Sequence, residues 1–487
     1  MSDWLQAGGT VEELTRLVEA APEWQPIASA PKSEDEPVRL TDMGNGKRFA
    51  QQHGQNVRYC WPWSKWLVWD GRRWAIDESG AVVRCAKAVV KQLYSEAGDI
   101  EDDDLRKALV KHARDTEKAP RLNAMLDMAR SEPGIPIQPA DLDKDPWLFN
   151  CVNGTMDLRT GELHGHRRED FITKLCPTPY DPGADCPTWL RFIEQITAGD
   201  RGVHRYHRRA AGMSLTGVVR DHVLFFCYGT GANGKTTYLT ALQDTMGPDY
   251  AMKAPPDLLL TRKAESHPTE RADLAGKRFV ACIEAGEGRR LAESLVKELT
   301  GGDRVRARRM REDFWEFAPT HKLWLAANHK PIIRGTDLGI WRRIKLIPFT
   351  VTIPPESQDK TLPEKLRAEA SGILAWAVLG CIEWQREGFD DEPAAVKQGA
   401  AAYRAEMDII GGFLDDCCLF GDGNEASAKA LYTCYLEWAK ANGEKPVNRT
   451  AFGYAMQERG LASDRITAGV DKGRNKWLGI CLRGDAP

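Results

Sequence analysis

The sequence predicts a multidomain protein built around an α/β core, with an α+β domain before it and a winged-helix-like domain after it. Three observations predict this. Between residues 221 and 349, short apolar runs alternate with helix patterns, the rhythm of βαβ units in a sheet sandwiched by helices. A glycine-rich turn at 229–236 separates an apolar strand from a helix. The chain has 487 residues, too many for one hydrophobic core; at roughly 100–200 residues per domain it holds about three.

In chain order, residues 1–40 read as an N-terminal extension and linker, ending in Ala30-Pro31-Lys32-Ser33-Glu34-Asp35-Glu36-Pro37. Residues 41–197 read as one α+β unit, with a Trp-rich β-like stretch at 59–74 and helical periodicity over 81–128. Residues 198–355 form the α/β core, with strands expected at 222–228, 278–283, 321–326 and 344–349. A helical connector follows at 356–420, and its apolar stretch 372–384 is too short to span a membrane, so it reads as a buried helix. In 421–487 two helix patterns, 428–441 and 449–459, precede β-like 477–482, the order of a winged helix.

Bulk properties exclude several classes. No basic region followed by an apolar run opens the chain, so a cytoplasmic location, without a membrane partner, is expected. Twelve scattered cysteines without a C-x-x-C read as reduced thiols. A formal net charge of −3 confines any nucleic-acid contact to a local patch. No internal repeat is visible.

The chemistry is concentrated at Gly229-Thr230-Gly231-Ala232-Asn233-Gly234-Lys235-Thr236, which fits G-x-x-x-x-G-K-[ST] and is followed by Thr237. Glycines let the backbone curl so that its N–H groups converge on phosphate oxygens at the positive end of a helix. Lys235 adds a point charge and Thr236 a Mg²⁺ ligand. The same glycines satisfy the dinucleotide pattern G-x-G-x-x-G, but Lys235-Thr236 decides for a P-loop NTPase core. ATP and Mg²⁺ are the expected substrate and cofactor.

A triphosphatase needs a carboxylate at the end of a neighbouring strand to hold Mg²⁺ through water and polarise the attacking water. Glu284, ending Phe279-Val280-Ala281-Cys282-Ile283, supplies one, and Glu287 is the next. Their division of labour is open. Asn328, ending the strand His321 to Ala327, could hydrogen-bond the γ-phosphate or the attacking water. Arg342 and Arg343 stand before a buried strand, where one could cross a subunit boundary to stabilise transition-state charge, worth about 10³–10⁵ in rate. Which of the two acts is open.

Taken together, the glycine-rich loop, Glu284, Lys297-Glu298-Leu299-Thr300-Gly301-Gly302-Asp303, Asn328-His329-Lys330-Pro331 and Trp341-Arg342-Arg343 resemble the phage and plasmid primase-helicase family, of the superfamily III helicases in the AAA+ class. Upstream, Asp145-Pro146-Trp147-Leu148-Phe149-Asn150 with Asn153-Gly154-Thr155-Met156-Asp157-Leu158 resembles the poxvirus-type N-terminal domain that precedes such cores. The resemblance implies an ATP-dependent ring helicase, usually a homo-hexamer, that draws single-stranded or forked DNA through its centre, with a separate primase or initiator as partner. Family members often carry a primase domain ahead of this region, whereas 40 residues precede Thr41, so primer synthesis is not expected of this chain.

Val305 to Arg309 and Phe314 to Phe317 read as two short strands around a turn, resembling the hairpin such helicases point into the ring's pore. Arg304, Arg306, Arg308, Arg309 and Arg311 concentrate positive charge there, with Arg311 nearest the tip. Trp61, Trp63, Trp66, Trp69 and Trp74 alternate as in a sheet core rather than a base-stacking platform. Asp141 and Asp143 read as turn residues, not a primase metal site. In the C-terminal domain 449–459 would be a recognition helix and Lys472, Arg474 and Lys476 a basic wing. Two other classes are weighed: an ATP-binding initiator that assembles on DNA with little hydrolysis, and a P-loop small-molecule kinase, which would need an acceptor pocket and lid arginines and against which the hairpin, Asn328 and the paired arginines speak.

Overall fold

A computed structural model describes residues 39–229, 231–261, 268–285, 289–310, 313–333, 338–467 and 475–485. They divide into two compact units, 39–55 with 80–136, and 56–79 with 137–485. The block expected as one α+β unit over 41–197 is thus shared between them. The helical periodicity closes on itself, whereas the β-rich parts join the core.

The first unit packs helix Asp42–His53 against Ala81–Gly98, Asp103–Thr116 and Ala119–Ala129. Thr41 caps the first helix, its Oγ1 accepting from Gly44 N at 3.1 Å. Buried Asn45 donates to Thr116 Oγ1 and lies 2.9 Å from His112 Nε2, so the polar group is satisfied within the bundle.

The second unit holds the α/β core, and its five strands are β1 (Leu224–Tyr228), β2 (Ala251–Ala254), β3 (Phe279–Ala285), β4 (Lys322–Ala327) and β5 (Ile344–Pro348). Every pair is parallel, in the order β5-β1-β4-β3-β2. The strands read as near-continuous apolar runs because both faces are covered. Phe225, Cys227, Ala281 and Trp324 face one core with helix Ala370–Glu387; Leu224, Phe226, Val280 and Leu325 face another with helix Glu293–Thr300. The expected buried helix 372–384 lies in this layer, and among the described residues no helix is long and apolar enough to cross a membrane.

The order differs from the sequence expectation in one respect that matters. β4, ending before Asn328, is the immediate neighbour of β1, and β3, carrying Glu284, lies one strand further out. Spacing along the chain cannot reveal this insertion, because β4 follows β3 in sequence.

At the opposite edge of the sheet two buried cations hold the upstream segments. Arg278 donates to Leu215 O at 2.6 Å and Leu148 O at 2.7 Å, and its guanidinium lies 4.8 Å from the Tyr250 ring centre. Lys322 Nζ donates to the carbonyl and hydroxyl oxygens of Thr216. Burial pulls both groups below their usual pKa. The Asp145-to-Asn150 motif belongs to the same structural joint: Asn150 Nδ2 donates to Arg72 O and Lys174 O, and Phe149 stacks on Tyr250 at 4.3 Å.

In the meander Val57–Cys60, Lys65–Trp69 and Trp74–Ile76, Trp74 is buried as expected, but Trp61 and Trp63 are 49% and 41% exposed. They sit in the turn after the first strand, where alternation ends. Asp141 accepts from Gln138 N at 3.3 Å within a local turn, whereas the Asp143 carboxylate accepts from Thr173 N at 2.8 Å and ties down a distant segment. The C-terminal part contains helices Ala428–Ala441 and Arg449–Glu458 with the sheet Cys418–Ser427, Asn475–Leu482 and Ser463–Arg465 around its own apolar core. Cys418–Ser427 lies partly in the span expected as helical connector; its Gly-Asp-Gly-Asn segment hides the strand signal.

Replacing Arg278 by Met leaves the Leu148 and Leu215 carbonyls unpaired. The expected loss is about 3 kcal/mol of unfolding free energy, at roughly 1.5–3 kcal/mol per hydrogen bond to a charged group, read from urea titration. An unchanged midpoint contradicts this role.

Candidate functional site

Parallel sheets bind ligands at the carboxyl ends of their strands where the strand order reverses. Here that point is β1, flanked by β4 and β5, and the residues Tyr228, Ala327 and Pro348 at the three strand ends are in register. The glycine-rich loop leaves β1 at this point and enters helix Lys235–Tyr250, which starts at Lys235 and is interrupted at Gly247. Gly234 takes φ +83°, and an added Cβ there would press on Ile196 and Phe192. Gly229 has no room for a Cβ either, since Asn233 Nδ2 and the Phe349 carbonyl fill the space.

Lys235 is 6% exposed and its ammonium donates to Gly229 O at 2.6 Å, Asn233 Oδ1 at 2.8 Å and Asn328 Oδ1 at 3.0 Å. All three acceptors are neutral, and burial lowers its pKa. Among the described residues the ammonium is therefore a desolvated positive charge held by neutral dipoles, an arrangement that favours an anion. Thr236 is exposed and Thr237 half-buried at the helix start. Beside them a groove of about 830 Å³ runs along the helix, lined by Thr236, Thr237, Thr240, Pro363 and Leu366, and Arg367 pairs with Asp244 across it at 3.0 Å.

The structure thus brings Gly229, Asn233, Lys235 and Asn328 together. Ala232 is exposed, and its carbonyl accepts from Ile353 N at 2.7 Å. Thr230, Glu287 and Arg311 lie outside the described residues, as do Lys472 and Arg474. Glu284 is on β3, where the pairing with β4 shifts: Ile283 faces Ala326 and Ala285 faces Ala327, leaving Glu284 as the additional residue. Such bulges recur next to active sites.

The two arginines have different surroundings. Arg343 donates to Gly339 O at 2.6 Å and Thr300 Oγ1 at 3.2 Å, whereas Arg342 is exposed and forms no hydrogen bond or ion pair among the described residues. Strands Val305–Ala307 and Trp315–Phe317 pair antiparallel, forming the expected hairpin. Arg306, Arg308 and Arg309 are exposed on it; Arg306 and Arg308 lie 4.4 and 4.7 Å from the ring centre of Phe314. Arg304 pairs with Glu316 at 3.6 Å, and Lys476 pairs with Glu425.

Sequence reasoning missed the Phe314 stack and the contacts of Lys330, a residue of the Asn328-to-Pro331 motif, which pairs with Glu406 at 2.5 Å and lies 5.0 Å from the Tyr228 ring centre. A lysine two residues after Asn328 was the available signal for the second.

Three family models match the chain: D5 N terminal like over 46–198, a family of unknown function over 227–343, and Poxvirus D5 protein-like over 405–460. Among curated proteins, a candidate helicase of Acanthamoeba polyphaga mimivirus is 27% identical over 329 residues, 62% of this chain and 34% of that protein. A candidate helicase of Frog virus 3 is 27% identical over 385 residues, 62% of this chain and 39% of that protein. A candidate primase of African swine fever virus is 25% identical over 340 residues, 62% of this chain and 34% of that protein. The chain therefore spans between 34% and 39% of the length of these three relatives. An apo structure of the NrS-1 C-terminal region covers 91% of this chain and 100% of its own, at 10% identity and TM-score 0.48.

The loop geometry predicts that Gly229→Ala lowers stability by about 1–3 kcal/mol through overpacking. Ala232 is exposed, so Ala232→Ser, which adds one hydroxyl on the solvent side of the same loop, leaves the unfolding midpoint unchanged. Equal midpoints for the two variants contradict the packing of this loop.

Proposed function

Because this chain belongs to a D5-type primase-helicase family, we propose that it is an ATP-dependent DNA helicase of replication, acting as a ring on single-stranded or forked DNA. The observation that carries this reading is the buried Lys235 ammonium, held by three neutral oxygens at the carboxyl edge of a parallel sheet. ATP phosphates supply the missing negative charge, and the loop N–H groups at the helix start add to the attraction. The five-strand order and Asn328 beside the loop support an AAA+ core of the superfamily III type. The two helices and antiparallel sheet of the C-terminal part support a winged-helix-like module.

Each residue then has a task. Lys235 turns from Asn328 toward the β- and γ-phosphates, which frees the Asn328 amide to orient the attacking water or the γ-phosphate. Glu284, or Glu287, takes the proton from that water. The exposed Thr236 hydroxyl and Glu284 are the residues for a Mg²⁺ ion bound with the nucleotide, whose chemistry is to neutralise developing phosphate charge. The groove beside Thr237 and Thr240 gives the nucleoside a place to lie.

Arg342, with no partner among the described residues, is the arginine for a neighbouring subunit's site, while Arg343 braces its own chain against Thr300 and Gly339. Arg306, Arg308 and Arg309, with Arg311, present charge to DNA phosphates. Interfacial arginines and a charged hairpin together favour a homo-oligomeric ring, with hexamer the family expectation.

Purified chain is expected to release phosphate from ATP faster with single-stranded DNA than without, and Lys235→Ala to abolish both rates. ATP bound but not turned over favours an assembly protein instead. Mixing Lys235→Ala with Arg342→Ala subunits should restore part of the hydrolysis, because hybrid interfaces pair an intact loop with an intact arginine; mixing with Arg343→Ala should not. Recovery only with Arg343→Ala reverses the assignment. Removing Arg306 and Arg308 together should weaken DNA binding and reduce its salt dependence by about two phosphate contacts; an unchanged slope argues against the hairpin as the DNA contact.

A further inference from the structure

The loop residue Asn233 is 3% exposed, and both ends of its amide are committed inside the protein. Its Nδ2 donates to the Phe349 carbonyl at 3.1 Å, and its Oδ1 accepts from Lys235 Nζ at 2.8 Å. Phe349 N in turn donates to Tyr228 O at 2.8 Å, so the same residue is tied to the end of β1. A second link joins the loop to this segment, Ile353 N to Ala232 O at 2.7 Å. Gly229 packs against Asn233 and the Phe349 carbonyl so closely that no side chain fits between them. The loop is therefore fastened on its inner side to the chain that leaves β5.

A buried amide is suited to this position in a way a carboxylate or an apolar group is not. It offers one donor to a carbonyl and one acceptor to an ammonium, with no net charge. A carboxylate would meet the Phe349 carbonyl oxygen with no proton between them and would supply Lys235 with an internal counter-ion. An alanine would leave one carbonyl and one ammonium hydrogen unpaired in a buried place.

We propose that Asn233 is a positioning residue: it holds the Lys235 ammonium at the mouth of the loop without neutralising it, and fixes the loop's width by its bond to the Phe349 carbonyl. The nucleotide is met by Lys235 and the loop N–H groups, and Asn233 acts through them. This rests on the phosphate-loop reading above. Keeping the lysine's partners neutral preserves its attraction for phosphate, and the β5 anchor keeps the N–H groups from closing on one another when no ligand is present.

Asn233→Asp separates this role from general packing, because the side chain keeps its size. At neutral pH the introduced carboxylate pairs with Lys235 and repels the Phe349 carbonyl, and affinity for MgATP should fall about tenfold or more. Pairing with the ammonium keeps that carboxyl ionised across the neutral range, so the Lys235 charge stays cancelled. Asn233→Ala removes more of the side chain but brings no counter-ion to Lys235, so its affinity should fall less than that of Asn233→Asp.

The measurement is equilibrium binding of a fluorescent ATP analogue with Mg²⁺ to the wild-type and variant chains at neutral pH, with unfolding midpoints taken in parallel. A larger loss of affinity in Asn233→Asp than in Asn233→Ala supports the proposal. If the wild-type chain binds and Asn233→Asp binds equally well, the proposal falls and the phosphate loop stands. A loss in Asn233→Ala equal to or larger than that in Asn233→Asp also overturns it, since packing alone accounts for that. Failure of the wild-type chain to bind removes the phosphate-loop reading, and the proposal with it.

Discussion

The interaction on which the site depends is the burial of the Lys235 ammonium among neutral oxygens. Charged side chains at 6% exposure are ordinarily paired with the opposite charge. Lys235 instead has Gly229 O, Asn233 Oδ1 and Asn328 Oδ1, which satisfy its hydrogens and, among the described residues, bring no opposite charge. On the proposed reading, the ligand-free form is held together by hydrogen bonds and a bound phosphate would add the electrostatic term. The lowered pKa of Lys235 has the same cause, desolvation of the cation.

That ammonium is placed by the parallel sheet. β1 has a strand on each side, so three chain segments end together around the loop: β1 itself, β4 with Asn328, and β5 with Phe349. Both sheet faces are covered by apolar layers, which leaves the strand ends as the place where polar groups collect. The opposite edge is closed by Arg278 and Lys322, whose donors are absorbed by carbonyls of the upstream segments. At both ends of the sheet buried cations are thus held by neutral oxygens; what distinguishes Lys235 is its place at the start of a helix beside a glycine-rich loop.

Much of this was legible in the residues, and the exceptions have physical reasons. The Gly229-to-Thr236 spacing, the strand before it and the helix after it could be read directly, because backbone curvature at a phosphate site demands glycine and a helix start. The four expected core strands are all present, and β2, Ala251–Ala254, was missed because it is short and follows the helix without a turn signal. The position of β4 between β1 and β3 is set by tertiary packing, to which local patterns are blind. The Trp61 and Trp63 side chains followed the alternation of a strand into a turn, where alternation no longer means burial. Arg342 and Arg343 are adjacent and chemically alike, and only the position of Thr300 and Gly339 distinguishes them.

The most direct test of the central claim is hydrogen exchange of the full chain with and without MgATP, followed across residues 228–240 and 322–333. The account requires protection of the backbone N–H groups of the loop and helix start, with any change at 322–333 smaller. Nucleotide bound with no change in exchange at either segment would contradict it.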